Sequence, residues 1–121
     1  MMGEEQTMKI ETQKVNNVTV VVVEGEIDTL TVPQLHETFD RLVAAGEQNY
    51  VIDLAGVPFM DSSGLAALVK LFKRIRIGHG DVRLCRVRPE IRKILELTRL
   101  DRVFEIYEDR TSAVESYREQ G

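Results

Sequence analysis

Residues 18–23, Val-Thr-Val-Val-Val-Val, are β-branched without interruption. Such a run favours a strand, and its lack of apolar–polar alternation leaves no face for water. It reads as a central strand that needs cover on both sides. The rest of the chain supplies that cover. Met8–Thr12 alternates and reads as an edge strand, and Asn16-Asn17 provides a turn that joins the two strands in a hairpin. After the hairpin, segments of helical period alternate with short apolar runs.

The first helical segment opens at Thr31-Val32-Pro33-Gln34. Thr31 is the expected cap, Pro33 suits the first turn, and Gln34 completes a capping box. Leu35, Phe39, Leu42 and Val43 share its inward face, and Gly46 ends it. A strand at Tyr50–Leu54 follows, then the turn Asp61–Gly64. A second helix at Leu65–Ile77 is lined by Leu65, Leu68, Val69, Phe72 and Ile75, with Lys70, Lys73, Arg74 and Arg76 opposite. Gly78-His79-Gly80 closes it. A strand at Val82–Val87, a helix opened by Pro89 with Ile91, Ile94 and Leu95 inward, a strand at Val103–Ile106 and a helix at Thr111–Arg118 complete the order ββαβαβαβα. Ala113, Val114 and Tyr117 face inward in that last helix. The expected fold class is α/β, a mixed and largely parallel sheet of about five strands with four helices.

At 121 residues the chain is expected to form one domain, 1–121, with its core at about 8–118. No apolar run approaches the roughly 18 residues that span a membrane. Met1–Gln6 lacks the basic-then-apolar layout of a signal peptide, which implies a cytoplasmic protein. The single cysteine, Cys85, fits a reducing compartment and reads as a small buried thiol in a strand.

A net charge of −4 gives nucleic acid no general attraction. The charge is polarised, however. Residues 1–54 hold ten acids and three bases, whereas 55–121 hold ten acids and thirteen bases. Solvated helix faces account for this, as does a surface that orients a protein partner.

The chemistry concentrates at Asp61-Ser62-Ser63-Gly64, where a strand has ended and a helix begins. Backbone N–H groups at a helix start lack intrahelical partners and favour anions. Serine and aspartate are also preferred there purely as caps. Asp61, Ser62 and His36 or His79 make a triad only on paper, since there is no Gly-x-Ser-x-Gly elbow. Two scattered histidines and one cysteine have no metal-ligand spacing. Neither a Gly-x-x-x-x-Gly-Lys loop nor a Gly-x-Gly-x-x-Gly fingerprint is present. A phosphoaspartate receiver would need an acidic pair near the first strand and a strand-end aspartate, whereas Asp53 lies inside its strand.

Four blocks carry a family likeness: Val23-Glu24-Gly25-Glu26-Ile27-Asp28, Val51-Ile52-Asp53-Leu54, Phe59-Met60-Asp61-Ser62-Ser63-Gly64-Leu65, and Ile94-Leu95-Glu96-Leu97-Thr98-Arg99-Leu100 before Val103-Phe104. From about Met8 to Tyr117 the chain resembles the STAS family, in particular the bacterial anti-sigma factor antagonists. Ala66 departs from the glycine often found there.

The resemblance implies the STAS fold, which matches the order read above. It places the phosphoacceptor at Ser62 and implies no catalysis and no cofactor of the chain's own. The implied partners are an anti-sigma factor that is also a serine kinase and a serine phosphatase that reverses the modification, with no direct nucleic acid and no membrane. The unmodified chain would bind the kinase and free the sigma factor. Asp61, Ser63, Gly64 and Leu65 are the expected partner-binding residues, with Glu26 and Asp28 as an acidic rim. Two other readings are a scaffolding STAS subunit of a transport or stress-sensing complex and a nucleotide-binding module.

Overall fold

The valine run forms the second strand of a five-stranded sheet in the computed structural model, which describes residues 8–118. Met1–Gln6 and the outer ends of the expected domain lie outside the described residues. The strands are β1 (Lys9–Val15), β2 (Val18–Glu24), β3 (Asn49–Gly56), β4 (Asp81–Cys85) and β5 (Ile106–Tyr107), and they lie in sequence order across the sheet. β1 pairs antiparallel with β2, and every later pair is parallel. Asn16 and Asn17 both have positive φ, 51° and 69°, as a two-residue hairpin turn with right-handed strand twist requires.

Four helices follow the parallel strands: α1 (Val32–Ala44), α2 (Ser62–Ile77), α3 (Pro89–Leu97) and α4 (Arg110–Arg118). Alternation along the strands divides the molecule into two layers. Val21, Val23, Tyr50, Ile52, Leu54, Val82 and Leu84 face α1, α2 and α3 in the larger core. Val18, Val20, Val51 and Cys85 face α4 through Ala113 and Val114 in a smaller one. The central valines are thus covered on both sides. Cys85 is fully buried, and burial pushes its thiol up to about 12. Among the described residues no helix is long and apolar enough to cross a membrane.

The smaller layer also contains buried charge. Asp53 is completely buried on the α4 side of β3. Its carboxylate accepts from the Ala55 amide at 3.1 Å, from Arg86 Nε at 3.2 Å and from Arg110 Nε at 3.0 Å. Burial would raise this carboxyl, but those donors outweigh it and hold it lowered. One strand over, the buried Arg83 donates to Asp81 at 3.1 Å and Ser116 at 2.6 Å, with its guanidinium 4.0 Å from the Tyr117 ring centre.

Several boundaries differ from the pattern reading. Thr31 makes no side-chain cap bond. Its hydroxyl donates instead to the Glu26 carbonyl at 2.8 Å, and Gln34 Nε2 reaches the Met8 carbonyl at 2.8 Å rather than turning back on Thr31. α1 ends at Ala44, and Gly46 (φ +89°) follows as its left-handed stop. α2 begins three residues early, at Ser62. Its buried stripe includes Ala67 and Leu71, while Val69 and Phe72 are only half covered.

β4 stops at Cys85 because Arg86 turns left-handed at φ 55°. The last strand is two residues long and lies further on than Val103–Ile106. Arg99 (φ 65°) starts a 3₁₀ turn at Leu100–Arg102, after which Phe104 turns inward to meet Phe72 edge-on at 5.3 Å.

Candidate functional site

The loop after β2 and the loop after β3 run side by side at the carboxyl ends of the strands. Gly25, at φ 112°, bends the chain out of β2, and its amide donates to Gly56 at 2.9 Å. Ile27 then forms a parallel bridge with Met60: Ile27 N donates to Phe59 O at 3.0 Å, and Asp61 N donates to Ile27 O at 3.1 Å. Both bridge side chains are buried. The start of α2 is therefore pinned to the β2–α1 loop by backbone ladder and apolar contact together.

Asp61 is the N-cap of α2, with extended backbone at φ −95°, ψ −172°. Its Oδ1 accepts from Ser63 N at 2.9 Å, from Gly64 N at 3.3 Å and from Ser63 Oγ at 2.6 Å. The Ser63 hydroxyl is the strongest influence holding the Asp61 carboxyl below the usual carboxylate range. The Ser63, Gly64 and Thr29 amides add to it against partial desolvation. Asp61 is thus ionised at neutral pH, and the Ser63 hydroxyl is committed to it.

Ser62 is different. It occupies the first helical position, is exposed, and its hydroxyl takes part in no hydrogen bond among the described residues. Ala66, one turn on, is also exposed, while Leu65 is half-buried against the main core. The two adjacent serines therefore have unlike chemistry: Ser63 locks the cap, and Ser62 offers a free hydroxyl over the helix N-terminus.

Gly64 is required by packing. A Cβ there would stand 2.5 Å from Met60 Cγ and 2.7 Å from Ile27 Cγ2. We expect Gly64→Ala to lower stability by about 1 kcal/mol. An overpacking cost of roughly 1–3 kcal/mol is only partly offset by about 1 kcal/mol of helix propensity. Thermal unfolding reads this as a fall of a few degrees. A midpoint at or above the parent's would show that Met60 and Ile27 yield freely.

The expected acidic rim is divided. Glu26 is exposed. Asp28 is half-buried, and its Oδ1 accepts from Leu30 N at 3.0 Å and Thr31 N at 3.1 Å, so it shapes the loop that leads into α1. Pattern reading passed over Thr29 and Leu30 and quoted Phe59 only as part of the Phe59–Leu65 block, with no role of its own. The signal was available in Leu30 and Phe59, two bulky apolar residues in segments that otherwise read as loop.

A mixed sheet with three helices on one face, one on the other and an unengaged serine heading the second helix defines an α/β module that presents a hydroxyl on a surface. The STAS domain model matches residues 9–113, and the chain belongs to that family. An anti-sigma F factor antagonist from Paenibacillus polymyxa is 27% identical over 108 residues, 88% of this chain and 92% of that protein. An anti-sigma-B factor antagonist from Staphylococcus aureus is 29% identical over 101 residues, 84% of this chain and 94% of that one. The crystal structure of an anti-sigma factor antagonist from Mycobacterium paratuberculosis aligns with a TM-score of 0.87 at 28% identity, covering 97% of this chain and 99% of that one.

Proposed function

We propose that this chain is a cytoplasmic anti-sigma factor antagonist switched by phosphorylation of Ser62. Unmodified, it docks on an anti-sigma factor that is also a serine kinase, and the sigma factor is freed. The kinase transfers the γ-phosphoryl group of ATP to Ser62 Oγ, the hydroxyl proton departs, ADP leaves, and the complex separates. A serine phosphatase restores the hydroxyl by hydrolysis. The chain contributes the acceptor and the docking surface, and it catalyses neither step. Asp61, Ser63, Gly64, Leu65, Glu26 and Asp28 form or support that surface.

The observation that carries the reading is the unlike state of the two serines. Ser62 Oγ is exposed and unengaged, whereas Ser63 Oγ donates to Asp61 at 2.6 Å. The names of the three relatives described above, each an anti-sigma factor antagonist, supply the biological context.

The test is to incubate the chain with ATP, Mg²⁺ and the anti-sigma serine kinase encoded nearest to it, then map the modified residue by mass spectrometry. One phosphate is expected, on Ser62. Ser62→Ala should take none, and Ser63→Ala should still take one. Modification of Ser63, or undiminished labelling of Ser62→Ala, would overturn the assignment. Failure to incorporate phosphate with any cognate kinase would favour a scaffolding role.

A further inference from the structure

Two bulky apolar side chains stand in water on the two loops joined at the start of α2. Leu30 is 82% exposed and Phe59 46% exposed. They come from different loops, yet the bridge between Ile27 and Met60 holds those loops together, and the Thr29 amide acts on the Asp61 carboxylate. The Leu30 amide is tied to Asp28 Oδ1 at 3.0 Å, and its side chain is not part of the core that Ile27 and Met60 help fill. Between the two loops the first turn of α2 is low, because Ser62 and Ala66, four residues apart on one face, are both small and exposed. Glu26 stands exposed on the same loop as Leu30, and Asp61 is ionised.

We infer that Leu30 and Phe59 are the apolar anchors that seat this chain on its kinase, in a hydrophobic socket beside the phosphoryl-transfer cleft with a rim of Lys or Arg facing Glu26. The inference rests on the function proposed above and adds the residues that supply binding energy. A few well-packed, desolvated residues near the centre of a contact typically carry most of that energy. Their contribution comes from removing apolar surface from water and is present before any charge is added to Ser62. Charge complementarity selects the partner: the exposed Glu26 and the ionised Asp61 call for a basic rim.

The test uses the full chain with the nearest-encoded anti-sigma serine kinase. It compares Leu30→Ala, Phe59→Ala and the double variant in equilibrium binding and in steady-state phosphorylation. Leu97→Ala is the control, being comparably exposed (75%) but at the end of α3. The double variant is expected to raise both Kd and the KM for the chain about tenfold or more, with kcat within about twofold, the pattern of lost uniform binding. Leu30 touches so little that its single variant keeps its fold and decides the matter if Phe59→Ala does not.

Unchanged Kd and KM in the double variant, with Ser62 still phosphorylated, would refute the anchors and leave the Ser62 reading standing. Equal weakening by Leu97→Ala would refute them as well. A parent chain that neither binds nor accepts phosphate would remove both proposals together.

Discussion

Ser62→Asp is expected to weaken binding to the anti-sigma kinase by about 100-fold or more, roughly 2.7 kcal/mol, while leaving the fold as stable as the parent's. The two effects have different causes. Within the chain, a carboxylate at the first position of α2 meets the positive end of the helix, worth roughly 0.3–1 kcal/mol. The ionised Asp61 next to it removes part of that gain, so the unfolding midpoint moves little.

Across the interface the basic rim inferred above is directed at Glu26, and a charge on Ser62 meets the socket beside it unpaired. In the proposed complex the partner surface accommodates a small neutral side chain next to the ionised Asp61. A negative group placed there brings like-charge repulsion and desolvation at once. A phosphate, with about −1.5 to −2 charges, acts more strongly than the single charge of aspartate. Ser62→Ala should bind as the parent does, and Ser62→Asn separates size from charge. Calorimetry or surface plasmon resonance reads all three. If Ser62→Asp binds as tightly as Ser62→Ala, or if Ser62→Asn loses as much as Ser62→Asp, the charge argument fails.

Asp53→Ala is expected to destabilise the fold by about 2–4 kcal/mol. Breaking a buried ion pair typically costs about 3–5 kcal/mol because a charge is left unpaired in the interior. Here the stranded partners, Arg86 and Arg110, are 46% and 35% exposed and can turn to water, which lowers the figure. The Ala55 amide, by contrast, loses its acceptor outright. Asp53→Asn keeps that acceptor and should lose about half as much.

The pH dependence follows from the lowered carboxyl. A group whose folded pKa lies below its unfolded value, about 3.9, stabilises the fold above that value and stops doing so as pH falls through the folded pKa. The stability difference between parent and Asp53→Asn should therefore be full at neutral pH and shrink below about pH 4. Denaturant unfolding across that range checks it, and a constant difference would show that Asp53 does not titrate as described.

The parts of the fold that were legible are those with a local cause. Asn16-Asn17 could only be a tight turn between two strands, and the valine run could only be a doubly covered strand. The beginning of α2 was misplaced because apolar periodicity starts at Leu65, while Ser62 and Ser63 enter the helix on the strength of the Asp61 cap. The Val103–Ile106 reading failed for another reason. Phe104 has strand-like chemistry, but its ring is used to plug the gap beside Phe72, and the left-handed Arg99 had already broken the register.

Thr31 and Gln34 matched a capping box by spacing, yet tertiary partners at Glu26 and Met8 competed for both side chains and won. Asp53 and Arg83 were harder still. A charge inside an apolar strand is a legible oddity, but its partners Arg110 and Ser116 lie on α4, at a sequence distance no local pattern bridges. At the site, the Asp-Ser-Ser-Gly order marked a helix start, and the structure begins α2 at Ser62 with Asp61 as its cap. Only coordinates separate the engaged hydroxyl of Ser63 from the open one of Ser62.

The paired loops joined through Ile27 and Met60 also bear on timing. Because the backbone around Ser62 is already anchored on both sides, a newly added charge has no segment to unravel before it is felt. The lag between modification and release would then equal the residence time of the complex, set by its dissociation rate alone.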